Sequence, residues 1–128
     1  MNLKKILKKQ PVKNYFKDIK IKYDWRNQIN EYHNVHVIGN CVSLFDTRYT
    51  KIDLDKFKYL YMDDIEVSLQ LQEMGVAGIV PPHPSGYLEY EHPKVKTLFD
   101  EYIKNPTTQT ERINSIDFKL LTDFKLLT

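Results

Sequence analysis

Residues 61–88 constrain the fold of this chain more than any other stretch. Two adjacent acids, Asp63 and Asp64, precede apolar residues at near-helical spacing, and the pattern stops at Gly75. The apolar positions of this pattern are Ile65, Leu69, Leu71 and Met74. Glycine commonly ends helices because it adopts the left-handed backbone conformation without strain. The spacing therefore predicts a helix from the acid pair to Gly75, with Asp63 or Asp64 as its N-cap.

A short apolar run and a proline-rich loop follow this helix. Residues 76–80 predict a buried strand, and the next residues, through Pro84 and Gly86 to Tyr87, predict a stiff loop. His83 stands between prolines, so its ring must project from the loop. A lone loop histidine is usually a hydrogen-bonded surface group. One strand separates His83 from the helix, however, so it can also lie near the acid pair.

Elsewhere the pattern predicts shorter elements. Residues 3–7 indicate a short helix that ends before Pro11, and residues 19–23 alternate like an edge strand. Residues 35–38 indicate a further strand, which encloses a core histidine, His36. Gly39 and Asn40 then suit a turn with positive φ.

The second half of the chain predicts two more helices. One covers residues 94–104 after Pro93, and the other runs from about 110 to 121. Between the strand at 35–38 and the acid pair lies an Asp-x-Asp string, residues 53–55. Carboxylates suit divalent cations, but the polar setting favours a link with Leu54 and Phe57 turned inward. In the segment before the strand at 35–38, Trp25 and Tyr32 are the expected aromatic anchors.

Length, charge and cysteine content limit the class of protein. A chain of 128 residues has room for one domain, and no apolar run is long enough to span a membrane. A single cysteine, Cys41, and the lack of a signal-peptide core favour the cytoplasm. Residues 1–22 hold eight lysines against one acid, which gives +7 and leaves −5 for the other 106 residues. This basic arm suggests a solvated end, or peripheral contact with anionic lipid. No motif indicates specific nucleic-acid binding.

The acid pair has two interpretations that the residue pattern leaves open. The structural one is helix capping, because acids favour the positive end of a helix dipole. The functional one is a general base that takes a proton from a hydroxyl group. Cys41 has no neighbouring base in sequence, and the chain carries no glycine-rich phosphate loop and no serine nucleophile elbow.

Several pieces, in order, resemble the C-terminal half of family-2 glycosyltransferases. They are residues 35–39, the stretch around Phe45, residues 61–65, the helix to Gly75, and residues 78–81, 86–88 and 109–115. The resemblance covers about residues 23–120. It implies an α/β protein with part of the A-type glycosyltransferase fold, a short mixed sheet with flanking helices that forms the acceptor side.

The resemblance also implies roles for particular residues. Asp64 corresponds to the catalytic base, with Asp63 as its neighbour and possible substitute. Gly39 and Asn40 correspond to a turn near the donor sugar, and Gly86 and Tyr87 to further substrate contacts. His83 corresponds to a loop near the diphosphate, where it could contact phosphate or a metal ion. The substrates would be a nucleotide-sugar donor and a hydroxyl acceptor, in the biosynthesis of cell-surface polysaccharide.

One departure from the family limits these expectations. The nucleotide-binding half is missing, and residues 53–55 cannot replace its Asp-x-Asp motif because they fall in the link after the donor half. A complete enzyme would use Mn²⁺ or Mg²⁺, which we do not expect this chain to bind alone. We therefore expect a basic arm at 1–22, a transferase-like half at 23–121 and a duplicated tail at 122–128. A partner polypeptide would supply the donor half. The alternative is a non-catalytic interaction module with a membrane- or nucleic-acid-binding arm.

Overall fold

The structure, a computed structural model, describes most of the chain. The described residues are 6–8, 11–18, 23–39, 43–59, 61–89, 91, 94–115 and 119–121. Within them lie three α-helices, one 3₁₀ helix and two antiparallel two-stranded sheets, a mixed α/β arrangement. The predicted α/β class is confirmed at this level. In the same residues, no helix is long and apolar enough to cross a membrane.

The first helix, α1 (Asp63–Met74), ends where the sequence predicts. Gly75 has φ 70°, a left-handed conformation, and its N–H donates to the carbonyl oxygens of the last turn. The predicted N-cap is wrong, because Met62 occupies that position. Met62 has φ −131° and ψ 43°, a non-helical backbone, and its side chain is buried in the core. Asp63 and Asp64 are the first two helical residues, where the dipole favours negative charge.

One sheet pairs β1 (Ile6–Lys8) with β4 (Lys119–Leu121). Two sequence predictions are wrong here. Residues 6–8 are a strand and not the end of a helix, and the third helix, α3 (Thr107–Asn114), stops well before residue 121. Pairing with a distant segment overrides helical spacing in pieces this short, since intrinsic propensity is a weak prior.

The other sheet pairs β2 (His33–Val35) with β3 (Gly78–Val80). The sequence predicts a strand at 35–38, but the observed strand ends at Val35, so the prediction is wrong for residues 36–38. The Ile38 N–H donates to Ser68 Oγ of α1 at 3.1 Å, so this backbone bonds to the helix and not to a neighbouring strand. The predicted positive φ at Gly39 is also wrong, since the described glycines with positive φ are Gly75 and Gly86. Asn40 lies outside the described residues.

One of the two remaining helices was not predicted, and the other is shorter than predicted. A 3₁₀ helix, Leu54–Lys56, follows Asp53, and α2 is Leu98–Lys104. The start of α2 is set by Thr97, which forms a capping box with Asp100, and not by the proline at 93. Pro93 and most of the predicted strand at 19–23 lie outside the described residues.

The core lies between α1 and α3. Its buried members are Met62, Ile65, Leu69 and Ile113, and the partly buried residues packed against them are Val12, Tyr15, Val37 and Tyr59. Residues 11–18, part of the predicted basic arm, therefore contact the core. The predictions that Leu54 turns inward and that Tyr32 anchors its segment are wrong, since Leu54 is 73% exposed and Tyr32 is 47% exposed. The boundaries assigned to the arm, the transferase-like half and the tail stay predictions.

Gly78 of β3 lies in close contact with the segment before α1. A Cβ atom there would meet Ile38 Cγ2 at 2.9 Å and the Val35 carbonyl oxygen at 3.2 Å. We therefore expect Gly78→Ala to destabilise the fold by about 1–3 kcal/mol in urea unfolding, because the core must shift to admit the methyl group. Gly39→Ala is the matched control, since a Cβ there meets nothing within 4 Å. Equal losses in the two variants would contradict the packing of β2 against β3.

Candidate functional site

The acid pair occupies the first turn of α1, with the two carboxylates in different environments. Asp63 is exposed, whereas Asp64 is half-buried. The Ile65 N–H donates to Asp64 Oδ1 at 2.9 Å, and the Ser68 hydroxyl donates to the Asp64 carbonyl oxygen at 2.6 Å. The same Ser68 oxygen accepts from Ile38 N–H. One helical turn thus fixes the backbone of Asp64 and joins it to the segment that leads to Gly39.

Burial perturbs the protonation of Asp64. Loss of water around the carboxyl group is the main cause that raises its pKa above the usual aspartate value. The negative charge of Asp63 raises the pKa further, and the Ile65 N–H acts in the opposite direction. A carboxylate with a raised pKa holds a proton more readily than an exposed one. This is the property that a general base requires, because the best catalytic pKa lies near the working pH.

Tyr15 reaches the same region from residues 11–18. Burial raises the pKa of its phenol, and the charge of Asp64 raises it further, so the phenol stays protonated. Tyr15 was not among the predicted site residues, because the lysines of residues 1–22 predict a basic arm. The available signal was the pair Val12 and Tyr15, two apolar side chains among lysines that both pack on the core.

A buried ion pair fixes α1 against α3. Glu66 is 1% exposed, and Arg112 binds it through two hydrogen bonds, Nε to Oε1 at 2.8 Å and Nη2 to Oε2 at 2.9 Å. The backbone of Lys58 and Tyr59 also hydrogen-bonds to Glu66. The first turn of α1 is therefore tied to two other parts of the chain. This geometry was not predicted from the sequence, although residues 109–115 were included in the resemblance.

His83 belongs to a second group of residues. Its Nδ1 lies 3.0 Å from the Pro81 carbonyl oxygen and its Nε2 lies 3.2 Å from the Asp24 carbonyl oxygen. The ring also packs on Tyr87, with 4.9 Å between ring centroids. Each ring nitrogen thus faces a backbone acceptor, and a metal ion would have to replace one of these contacts. The metal role of His83 stays a prediction.

Gly86 and Tyr87 lie beside His83, as their place in the loop implies. Gly86 has φ 64°, and its N–H donates to the Trp25 carbonyl oxygen at 3.2 Å. Tyr87 is 50% exposed, so one part of its ring remains open to a ligand. The loop is held to residues 24–29, because Ile29 and His83 also exchange backbone hydrogen bonds of 2.9 Å.

The predicted site residues thus fall into separate groups. Asp63 and Asp64 lie together at α1, whereas His83, Gly86 and Tyr87 lie together against residues 24–29. In the part of the chain that the structure describes, the contacts of Asp64 and those of His83 share no residue. Proximity of His83 to the acid pair stays a prediction.

A small crevice lies between β2, α1 and β3. Its internal volume is about 10 Å³, and it is lined by His36, Ser68, Gln72 and Gly78, among others. That volume admits about one water molecule. This crevice is therefore too small for a sugar.

The described residues do not fit a divalent-metal centre. Among them, no three His, Cys, Asp or Glu side chains come together as a possible metal site. Asp53 Oδ1 accepts from the Asp55 N–H at 3.0 Å, so this carboxylate caps the 3₁₀ helix. The Asp53 backbone exchanges hydrogen bonds of 2.8 and 2.7 Å with the Gln70 side chain. No step involving a metal is therefore assigned to this chain.

Comparison with known proteins leaves the family open. No protein-family model matches the chain. A search of curated proteins also finds no match.

The raised pKa of Asp64 has a consequence for stability. Because the folded carboxyl group has the higher pKa, the native state binds more protons than the unfolded state at pH values between the two pKa values, and stability falls as pH rises there. We expect Asp64→Asn to be more stable than wild type at pH 7. The difference should shrink as pH falls through the raised pKa of the folded state, and it should be absent below the unfolded value of about 3.9.

Urea unfolding across this pH range measures the effect. Asp63→Asn is the matched control, since Asp63 is exposed on the same helix turn and its loss should cost about 0.3–1 kcal/mol through the dipole. If Asp64→Asn lowers stability at pH 7 as much as Asp63→Asn does, burial does not raise the pKa of Asp64.

Proposed function

We propose that this chain is the acceptor-side half of an inverting glycosyltransferase, with Asp64 as its catalytic base. The observation that carries the proposal is the half-buried Asp64 carboxyl group in the first turn of α1, whose pKa burial raises. The neighbouring acid, Asp63, is exposed and lacks this environment. Two adjacent aspartates in unlike surroundings are suited to unlike roles.

The proposed reaction moves a sugar from a nucleotide-sugar donor to a hydroxyl acceptor. Asp64 takes the proton of the acceptor hydroxyl as its oxygen forms a bond to the anomeric carbon. The bond from that carbon to the diphosphate oxygen breaks on the opposite face, so the nucleoside diphosphate leaves and the configuration inverts. Hydrogen bonds from Ile65 and Ser68 hold the backbone and carboxylate of Asp64 in place.

The other substrate contacts come from the resemblance. Gly39 and Asn40 would border the donor sugar, and the link from Ile38 to Ser68 joins that segment to the Asp64 turn. Gly86 and Tyr87 would contact substrate from the loop, where Tyr87 is half exposed. His83 would contact phosphate. The donor nucleotide and its cation would be bound by a second polypeptide, since the resemblance covers only the acceptor-side half of the family.

The test is reconstitution with a donor half. The chain is co-expressed with a nucleotide-binding polypeptide that carries an Asp-x-Asp motif. The pair is then supplied with a panel of nucleotide sugars, Mn²⁺ and hydroxyl acceptors. We expect a transfer product with inverted anomeric configuration, read by NMR. Release of free sugar alone, at the same rate with Asp64→Asn, would overturn the proposal.

A second candidate is a non-catalytic interaction module. One observation favours it: Asp63 and Asp64 lie in the first turn of α1, where the helix dipole alone explains two acids. In this case the isolated chain should bind no nucleotide sugar, and Asp64→Asn should leave every binding property unchanged. The basic arm would then make the salt-sensitive contact with anionic lipid, and replacement of its eight lysines by glutamine should abolish it. Detection of nucleotide-sugar binding by the isolated chain would contradict this candidate.

A further inference from the structure

Residues 11–18 are held firmly against α3. The Asn114 side chain forms two hydrogen bonds with the Val12 backbone, 3.0 Å to its N–H and 2.7 Å to its carbonyl oxygen. The Tyr15 N–H donates to Thr110 Oγ1 at 2.9 Å. The bonded residues lie far apart in the sequence, by 95 positions for Tyr15 and Thr110 and by 102 for Val12 and Asn114. They place Tyr15 at a fixed position beside the core.

The turn that carries Tyr15 is also fixed from within. Asn14 Oδ1 accepts from the N–H groups of Phe16 and Lys17, both at 3.1 Å. Asp18 Oδ2 accepts from the N–H groups of Lys13 at 2.7 Å and Asn14 at 3.1 Å. A turn with its backbone donors satisfied in this way holds its side chains in one arrangement.

This arrangement brings Tyr15 to the acid pair. Its side chain packs against the core cluster that includes Met62 and Ile65, the residues on either side of Asp63 and Asp64 in the sequence. The phenol also lies within electrostatic range of Asp64, whose charge acts on it. A buried aromatic ring packed at the start of α1 takes space that water would otherwise fill, and loss of water raises the pKa of a carboxyl group.

We propose that Tyr15 is a positioning residue for Asp64, whose ring screens the carboxyl group from water and so sets its affinity for a proton. The inference rests on the proposed function for its catalytic meaning, but the screening is a property of the chain alone. The phenol, which stays protonated, adds no charge of its own. The charged group that acts on Asp64 is Asp63 of the same helix. On α3, the Arg112 guanidinium is engaged by Glu66.

The test is a titration of the Asp64 carboxyl carbon by NMR on the full chain, with the resonance assigned by its loss in Asp64→Asn. We expect a wild-type midpoint above that of an ordinary aspartate. Tyr15→Phe should keep it, because the ring remains, whereas Tyr15→Ala should lower it, because water then reaches the carboxyl group. Tyr32→Ala, which removes an exposed ring, should leave the midpoint unchanged and is the control.

Three results would overturn the inference. They are an unchanged midpoint in Tyr15→Ala, an equal fall in Tyr15→Phe and Tyr15→Ala, and an ordinary midpoint in wild type. If Tyr15→Ala fails to fold, Tyr15→Leu replaces it, since leucine retains apolar contact but screens less, and an unchanged midpoint there overturns the inference. The titration uses no donor or acceptor. If Tyr15→Ala lowers the Asp64 midpoint but no sugar transfer is found, only the proposed function is refuted. If sugar is transferred but Tyr15→Ala leaves the midpoint unchanged, only this inference is refuted.

Discussion

Replacement of Arg112 by alanine should destabilise the fold by about 3–5 kcal/mol, the largest stability effect that we expect from one substitution. The reason is the position of Glu66, which is 1% exposed and receives two hydrogen bonds from Arg112. Without the guanidinium, a buried carboxylate loses its compensating charge. Urea unfolding at pH 7, followed by circular dichroism, gives the free energy of unfolding for each variant.

The chain offers a matched control in a second arginine pair. Arg48 binds Asp46 at 2.7 Å, but the two side chains are 74% and 35% exposed. Arg48→Ala should therefore cost about 1 kcal/mol or less, because solvent screens exposed pairs. Equal losses in Arg48→Ala and Arg112→Ala would contradict a structural role for the Glu66 pair. Replacement of both Glu66 and Arg112 by apolar residues of similar volume should recover much of the lost stability.

The pH dependence of the Arg112 effect follows from Glu66. Burial alone would raise the pKa of Glu66, but Arg112, together with the backbone of Lys58 and Tyr59, outweighs it and lowers the pKa below the usual glutamate value. The stability that this pair contributes is thus present above the unfolded pKa of about 4.3 and is lost as pH falls through the folded value. The difference in free energy of unfolding between wild type and Arg112→Ala should therefore decrease as pH falls over that range.

Asp64→Asn should produce the largest effect on activity. In the reconstituted transferase we expect kcat to fall by about 10²–10⁴-fold, the usual contribution of a positioned general base. The amide keeps the size of the carboxylate and can accept the Ile65 hydrogen bond, so the loss isolates proton transfer. Asp63→Asn should change kcat far less, because Asp63 is exposed. Equal losses in the two variants would move the base assignment away from Asp64.

The part of the fold that the sequence predicts best is α1 with its end at Gly75. Helical spacing of apolar residues and the left-handed conformation of a glycine are local properties, so no tertiary information is required. The start of α1 was less predictable. Met62 occupies the N-cap position and has no side-chain cap hydrogen bond, so residue preferences for capping do not predict it.

Elements fixed by distant contacts were not predictable. β1 and β4 pair Ile6 with Leu121, and each strand has only three residues, too few to carry a periodic pattern. Tyr15 reaches the acid pair only through the bonds of its segment to α3. The sequence thus predicted the acids of the candidate site. The surroundings that distinguish Asp64 from Asp63 depend on residues far away in the chain.

The central claim, that Asp64 is the base of a sugar transfer, is tested most directly by comparing two midpoints. One is the acidic limb of kcat/KM against pH for the reconstituted transferase, which reports the pKa of the base in the free enzyme. The other is the NMR midpoint of the Asp64 carboxyl group. We predict that the two midpoints coincide and move together in Tyr15→Ala. An acidic limb at a different pH, or one that persists in Asp64→Asn, would contradict the assignment of Asp64 as the catalytic base.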